Sequence, residues 1–164
     1  MKVFSEMKKL LYLATLTLAV TSADIRQVAA SGEPGNYRIS HLVNSVAIPN
    51  DFYATDATHK ISVHVQGASL QKLKINVPQG IRINREITVI NPSGENPSAT
   101  VSLDEQIATI SFSQPIEPDT KLFIKMNGVN TVGYNKNWQY RVYAQKQGFT
   151  EVIPLGIAQI QTYR

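Results

Sequence analysis

The 164-residue chain contains no cysteine. Disulfides, thiolate metal sites and cysteine nucleophiles are thereby excluded. Export is not, since a domain of this size buries roughly two thirds of its unfolded surface and needs no covalent staple. Charge is also sparse: 17% of residues are Asp, Glu, Lys or Arg, against 43% hydrophobic. The formal balance of +4 owes part of its excess to Lys2, Lys8 and Lys9 set against Glu6, and beyond residue 23 there remain 13 basic and 11 acidic residues, a net of +2. So small and scattered an excess implies no nucleic acid and no other polyanion as partner. Internal repeats, coiled-coil heptads and the G-x-S-x-G, H-E-x-x-H, P-loop and dinucleotide glycine patterns are missing as well, so no local motif announces an enzyme or a cofactor.

What is present begins with an export pattern. Lys2, Lys8 and Lys9 precede Leu10 to Val20, an uncharged run of 11 residues followed by small side chains. That run is too short to cross a bilayer comfortably and reads as a signal helix over residues 1–23, with cleavage favoured after Ala23 over Ala30. Residues 24–40 shift to Ser, Gly, Glu and Pro and read as a flexible leader. No further apolar segment reaches spanning length, so no transmembrane span is expected once the signal is removed, and the predicted location is the periplasm or the cell exterior.

From residue 41 onward the period is two. Ile61, Val63 and Val65 alternate with Ser62, His64 and Gln66, and Leu73, Ile75 and Val77 with Lys72, Lys74 and Asn76. Ala108, Ile110 and Phe112 alternate with Thr109, Ser111 and Ser113; Leu122, Ile124 and Met126 with Lys121, Phe123 and Lys125. Between these last two, Glu117-Pro118-Asp119-Thr120 suits a β-turn with proline at its second position, a turn that serves hairpins and sandwich corners alike. Trp138, Tyr140, Val142 and Ala144 share one face, and the Asn- and Gly-rich stretch before them, 126–137, predicts an irregular loop. Seven to nine short strands without a helix point to an all-β, antiparallel two-sheet sandwich of immunoglobulin-like type over residues 41–164, with a small β-barrel as the alternative.

Four chemical readings follow. Tyr134 and Tyr143, with Asn135 and Asn137, could stack on and hydrogen-bond a sugar, making an envelope polysaccharide or an envelope protein the partner of a non-enzymatic binding or structural module. Outward Lys72, Lys74, Arg82, Lys121, Lys125 and Arg141 could form a basic face for anionic glycan or lipid headgroups. His41, His59, His64 and Met126 could hold copper or zinc in a periplasmic metal-binding protein. Against this, His59 and His64 are an odd number apart and point to opposite faces, leaving solvent-facing histidine and core methionine as the plainer expectation. A small hydrolase would need one of the three histidines beside a serine or carboxylate in a cleft. The preferred expectation is the binding module, with no catalytic residue, metal or cofactor.

The run Pro115 to Lys125 (PIEPDTKLFIK), then Asn130, Gly133 and Tyr134, the segment WQYRVYAQKQG and the closing LGIAQIQTY form a recognisable succession. It resembles a family of exported cyanobacterial domains of unknown function (a DUF family), in which a Pro-x-x-Pro-(Gly/Asp)-Thr turn precedes a strand, an Asn/Gly/Tyr loop follows and a Leu-Gly strand ends in Tyr. The upstream LQKLKINVPQGI is similar to that family's first paired strands. Asp119 stands where glycine is commoner, and no proline follows Asn130. The resemblance covers about residues 41–164. It implies export, a β-rich secreted fold and a cyanobacterial envelope setting, and it carries over no activity and no site residues.

Overall fold

A computed structural model describes residues 39–51, 53–131 and 137–163. The predicted signal helix and nearly all of the leader lie outside the described residues. Ten strands follow one another: β1 His41–Ile48, β2 Ala57–His64, β3 Leu70–Asn76, β4 Ile81–Ile83, β5 Ile87–Ile90, β6 Ala99–Asp104, β7 Ile107–Ile116, β8 Lys121–Thr131, β9 Asn137–Lys146 and β10 Val152–Gln161. They form two antiparallel sheets. The first is ordered β1-β2-β8, with β4 and β5 both pairing to the far side of β8; the second is ordered β10-β9-β3-β7-β6.

The period-two patterns decide which faces meet. Ile61 and Val63 from β2, with Leu122, Ile124 and Met126 from β8, are buried against Leu73, Ile75, Ala108, Ile110, Trp138, Tyr140 and Val142 of the second sheet. Each such aliphatic side chain contributes about 1.5–3 kcal/mol on burial. The predicted core faces of Trp138 and Tyr140, and of Met126, are the observed ones. The turn Glu117 to Thr120 crosses between sheets rather than closing a hairpin. Asp119 adopts φ 63°, and the turn is held to the end of β2 by Val65 N donating to Thr120 O and Asp119 N donating to Val65 O.

The two sheets draw together along one side only. Ser45 Oγ of β1 donates to Gln159 O of β10 at 2.7 Å, and Asp51 bridges Tyr163 in parallel beyond the strand ends. On the other side β4, β5 and β6 are margins, so the chain is a sandwich and not a closed barrel. At the start of β1, Ser40 is buried, its hydroxyl exchanging hydrogen bonds with Gln66. The Lys146 ammonium donates there to Ser40 Oγ and to the carbonyls of Gln66 and Ala68. Burial lowers the pKa of Lys146.

Three expectations are corrected. The Asn-rich stretch is not loop throughout, because β8 continues to Thr131 and absorbs Asn127 and Gly128 as an irregularity in its pairing with β2. His59 is not solvent-facing; it is fully buried in the core. The six basic residues do not share a face: Lys72, Lys74 and Arg141 lie on the outer side of the second sheet, Arg82, Lys121 and Lys125 on the outer side of the first.

Candidate functional site

The outer face of the second sheet is a broad, continuous surface across five strands. Because β3, β7 and β9 bury their alternate residues, the intervening ones stand outward in cross-strand rows. One row runs Pro154, Tyr143, Lys74, Thr109, Ser102; the next runs Ile157, Arg141, Asn76, Ile107, Asp104. A third runs Val152, Gln145, Lys72, Ser111, Thr100, and β9 and β10 extend the face with the pairs Gln139–Gln159 and Asn137–Gln161. Amides and hydroxyls dominate, with Lys72, Lys74, Arg141 and Asp104 as the charges in these rows.

At one end this face dips into a depression of about 380 Å³ lined by Asn76, Gln79, Gln106, Ile107, Gln139 and Arg141, among others. The Pro78-Gln79-Gly80 turn and the two-residue Glu105-Gln106 turn form its rim. Asn76 Oδ1 is buried and has no hydrogen-bond partner. A ligand hydroxyl or amide reaching it would satisfy an acceptor that otherwise carries a desolvation cost of about 1–3 kcal/mol. A larger groove, of about 590 Å³, lies at the opposite end of the sandwich, between Asn91–Ser98 and Ser113–Thr120. Its acidic side chains are already engaged: Glu95 accepts from Asn91 Nδ2, and Glu117 from Ser69 Oγ.

Of the sequence-predicted site residues, Tyr134 and Asn135 lie outside the described residues. Tyr143 and Asn137 both stand on the outer face of β9, but six residues apart, about 20 Å along an extended strand. Tyr143 is half-buried between Pro154 and Lys74, whereas Asn137 is exposed at the strand's start. One sugar ring therefore cannot touch both. Between them stand Gln139 and Arg141, which sequence reasoning did not combine with Tyr143. The available signal was the run of outward amides at odd positions of β9 and β10.

The histidines separate. His41 and His64 are cross-strand neighbours on β1 and β2, with ring centres 5.3 Å apart at 71°, and His64 Nε2 lies 4.0 Å from Asp119 Oδ1. His41 Nδ1 meets Ile39 O. His59 Nδ1 meets the Tyr140 hydroxyl at 2.6 Å inside the core, its pKa pushed down to about 4 by withdrawal from water, while the same burial pushes the Tyr140 phenol upward. None of these partners is a serine; His64 has a carboxylate, Asp119, at 4.0 Å, and the His59–Tyr140 pair is sealed in the core. Among the described residues no group of three or more His, Cys, Asp or Glu side chains could hold a metal ion, and no helix is long and apolar enough to cross a membrane.

No protein-family model matches the chain, and no curated protein matches it in sequence. Solved structures do match its shape. An uncharacterized protein from Nocardia farcinica with an immunoglobulin-like fold aligns at a TM-score of 0.56 and 9% identity, covering 76% of this chain and 99% of that one. BslA, a bacterial hydrophobin, aligns at 0.51 and 14% identity over 76% of this chain and 94% of its own. The N-terminal domain of an adhesin from Streptococcus gordonii aligns at 0.51 and 12% identity over 78% of this chain, which spans only 33% of the adhesin chain. At such identities the likeness is one of architecture: the described chain has an immunoglobulin-like β-sandwich fold.

Proposed function

We propose that this chain is an exported, non-enzymatic binding module that holds a largely uncharged envelope polysaccharide on the outer face of its second sheet. The observation that carries the reading is the density of amide and hydroxyl groups across five strands there. Half-buried Tyr143 offers a ring in the middle rows, and unpartnered Asn76 Oδ1 offers an acceptor at the end. A polysaccharide presents hydroxyls in a repeating array and apolar ring faces between them. A sheet face repeats its side chains every 4.7–4.9 Å across strands, so several sugars can be engaged by equivalent groups at once. Arg141 and Gln139 supply donors, Asn76 and Gln145 acceptors as well, and Tyr143 a stacking surface.

Export is supported by the basic start and apolar run of residues 1–20, and by a fold that an adhesin domain and a bacterial hydrophobin also use. Binding is favoured over hydrolysis because His59 is sealed in the core and His41 meets a backbone carbonyl, which leaves only His64 beside a carboxylate, that of Asp119. The resemblance to exported cyanobacterial domains adds an envelope setting to the same proposal.

Retention of the full chain on insoluble envelope polysaccharide tests it. Tyr143→Ala combined with Gln139→Ala should weaken retention about tenfold, the loss expected when a central aromatic anchor is truncated. Equal retention of variant and wild type would reject the face, and failure of the wild type to bind any envelope polysaccharide would reject the function.

A further inference from the structure

Each sheet has two margins, and the fold treats them differently. On the closed side β1 and β10 cover one another. On the open side the first sheet ends in two short pieces, β4 of three residues and β5 of four. Among the described residues the second sheet ends there in β6, six residues long and paired to β7 without a register shift. Its sequence, ATVSLD, contains no proline, no lysine and no glycine, the usual devices that blunt a free edge.

The direction of its backbone groups follows from one hydrogen bond. Ser113 N donates to Ser98 O at 2.8 Å, one step beyond the pairing of Ala99 with Phe112, so Ser98 and Ser113 are a hydrogen-bonded pair. By alternation Thr100, Ser102 and Asp104 bond to β7, while Ala99, Val101 and Leu103 direct their N–H and C=O groups away from it. The side chains of those three point toward the sandwich interior. The first sheet is one strand position narrower, and of the three only Ala99 and Val101 pack, partly buried, against the core. Leu103 is accordingly 44% exposed, although Ala108 opposite it is fully buried.

We propose that β6 is a self-pairing edge, and that two copies of this chain join antiparallel about a twofold axis at Val101, fusing their second sheets into one ten-stranded sheet. The occupant is fixed by self-complementarity. An axis at Val101 opposes Ala99 to Leu103, Val101 to Val101 and Leu103 to Ala99. Every outward-directed backbone group of the strand is then used, and apolar side chains meet on the inner side. An axis at Thr100 or Ser102 would leave only two such opposed pairs within the strand. Asp104 is the strand's one charge, and in the Val101 register the two copies of it stand about 20 Å apart, so no like charges meet. The outer face described above would continue across the junction, but the pairing does not depend on what that face binds.

Because the chain has no cysteine, one introduced thiol is unique. Val101→Cys would face its own copy across a hydrogen-bonded pair with Cα atoms about 5.5 Å apart, within disulfide reach, whereas two Ser102→Cys thiols would sit on Cα atoms about 8 Å apart, beyond it. Under mild oxidation the Val101→Cys full chain should become a covalent dimer and Ser102→Cys should not. Wild type should sediment at twice the chain mass at about 100 µM, a concentration that populates even weak dimers. Val101→Pro, which deletes an N–H that β7 does not use, and Leu103→Lys, which places charge on the edge, should each return it to the single-chain mass with an unchanged circular dichroism spectrum. Should Val101→Pro fail to fold, Leu103→Lys alone carries the comparison. Single-chain mass for the wild type, equal cross-linking by the two cysteine variants, or capture of a different protein by Val101→Cys would overturn the proposal.

Discussion

At the scale of single residues, His59 shows what burial does to a titratable group. It is 0% exposed, its Nδ1 is engaged by the Tyr140 hydroxyl, and its Nε2 is buried with no hydrogen-bond partner. Withdrawal from water disfavours the charged ring, so the pKa falls from 6.5 to about 4. Between those values the unfolded chain binds a proton that the folded chain refuses. The neutral ring's contribution is therefore fully present above about pH 6.5 and is lost as the pH falls through 4, on the order of 3 kcal/mol in all. Carboxylates titrate over part of the same range, so the comparison is between wild type and His59→Leu, with urea midpoints measured at pH 7, 5.5 and 4. The wild type should lose stability more steeply than the variant; parallel slopes would show that the ring is accessible to protons in the folded state. The position of His59 was legible in its sequence parity, since it is in step with Ile61 and Val63. Imidazole's usual place at the surface pointed the other way. What overruled that preference was a phenol 81 positions away on another strand, a partner that no local pattern announces.

Among the elements, β8 organises the first sheet and carries its main irregularity. Up to Met126 it pairs regularly with β2 and β5; at Asn127 and Gly128 the register shifts, and β4 takes over from Ile83 opposite Val129. Residues Asn84 to Glu86 arch across the gap, with Asn84 N donating to Gly128 O, Arg85 N to Asn127 O and Asn127 Nδ2 to Glu86 O. Gly128 must be glycine for two separate reasons. Its φ of 65° is left-handed, and a Cβ would lie 2.8 Å from Arg85 Cγ and 3.1 Å from Arg85 N. The side-chain atom can move, but the backbone nitrogen is held by its own hydrogen bond. Gly128→Ala should therefore cost about 2–4 kcal/mol, roughly 1–2 for the dihedral and the remainder for displacing the arch. Amide exchange should accelerate in β4 and β5 before it does in β2; a loss below about 0.5 kcal/mol would mean that the arch yields freely. The period-two strands and a turn at Pro118 could be read from sequence because each rests on local chemistry, whereas that this turn is a corner between sheets could not. The continuation of β8 through MNGVNT could not: its composition is that of a loop, and only the arch packed beside Gly128 makes it strand.

The whole molecule separates its charge. Of six outward basic residues that a sequence reading groups together, three stand on each outer face, and the two faces are separated by the full thickness of the core. Two packed sheets lie about 10 Å apart, which already equals the Debye length at 0.1 M salt, so the two sets do not reinforce one another toward a common ligand. On the second sheet Lys72, Lys74 and Arg141 are interspersed with amides and hydroxyls, and Asp104 offsets part of their charge. Binding on that face should therefore depend on hydrogen bonds and ring contact, both local and weakly screened. Retention on an uncharged envelope polysaccharide should change by less than about twofold between 0.05 and 0.5 M sodium chloride, because screening acts on charge pairs and few are made. Binding to an anionic polymer through neutralised charges would instead fall steeply over the same range, by orders of magnitude when several contacts act together. A steep loss of retention would thus transfer the ligand to the anionic class. Flat retention that Tyr143→Ala with Gln139→Ala weakens about tenfold would keep it on the amide-rich face, where neither half of the divided positive charge suffices to hold a polyanion.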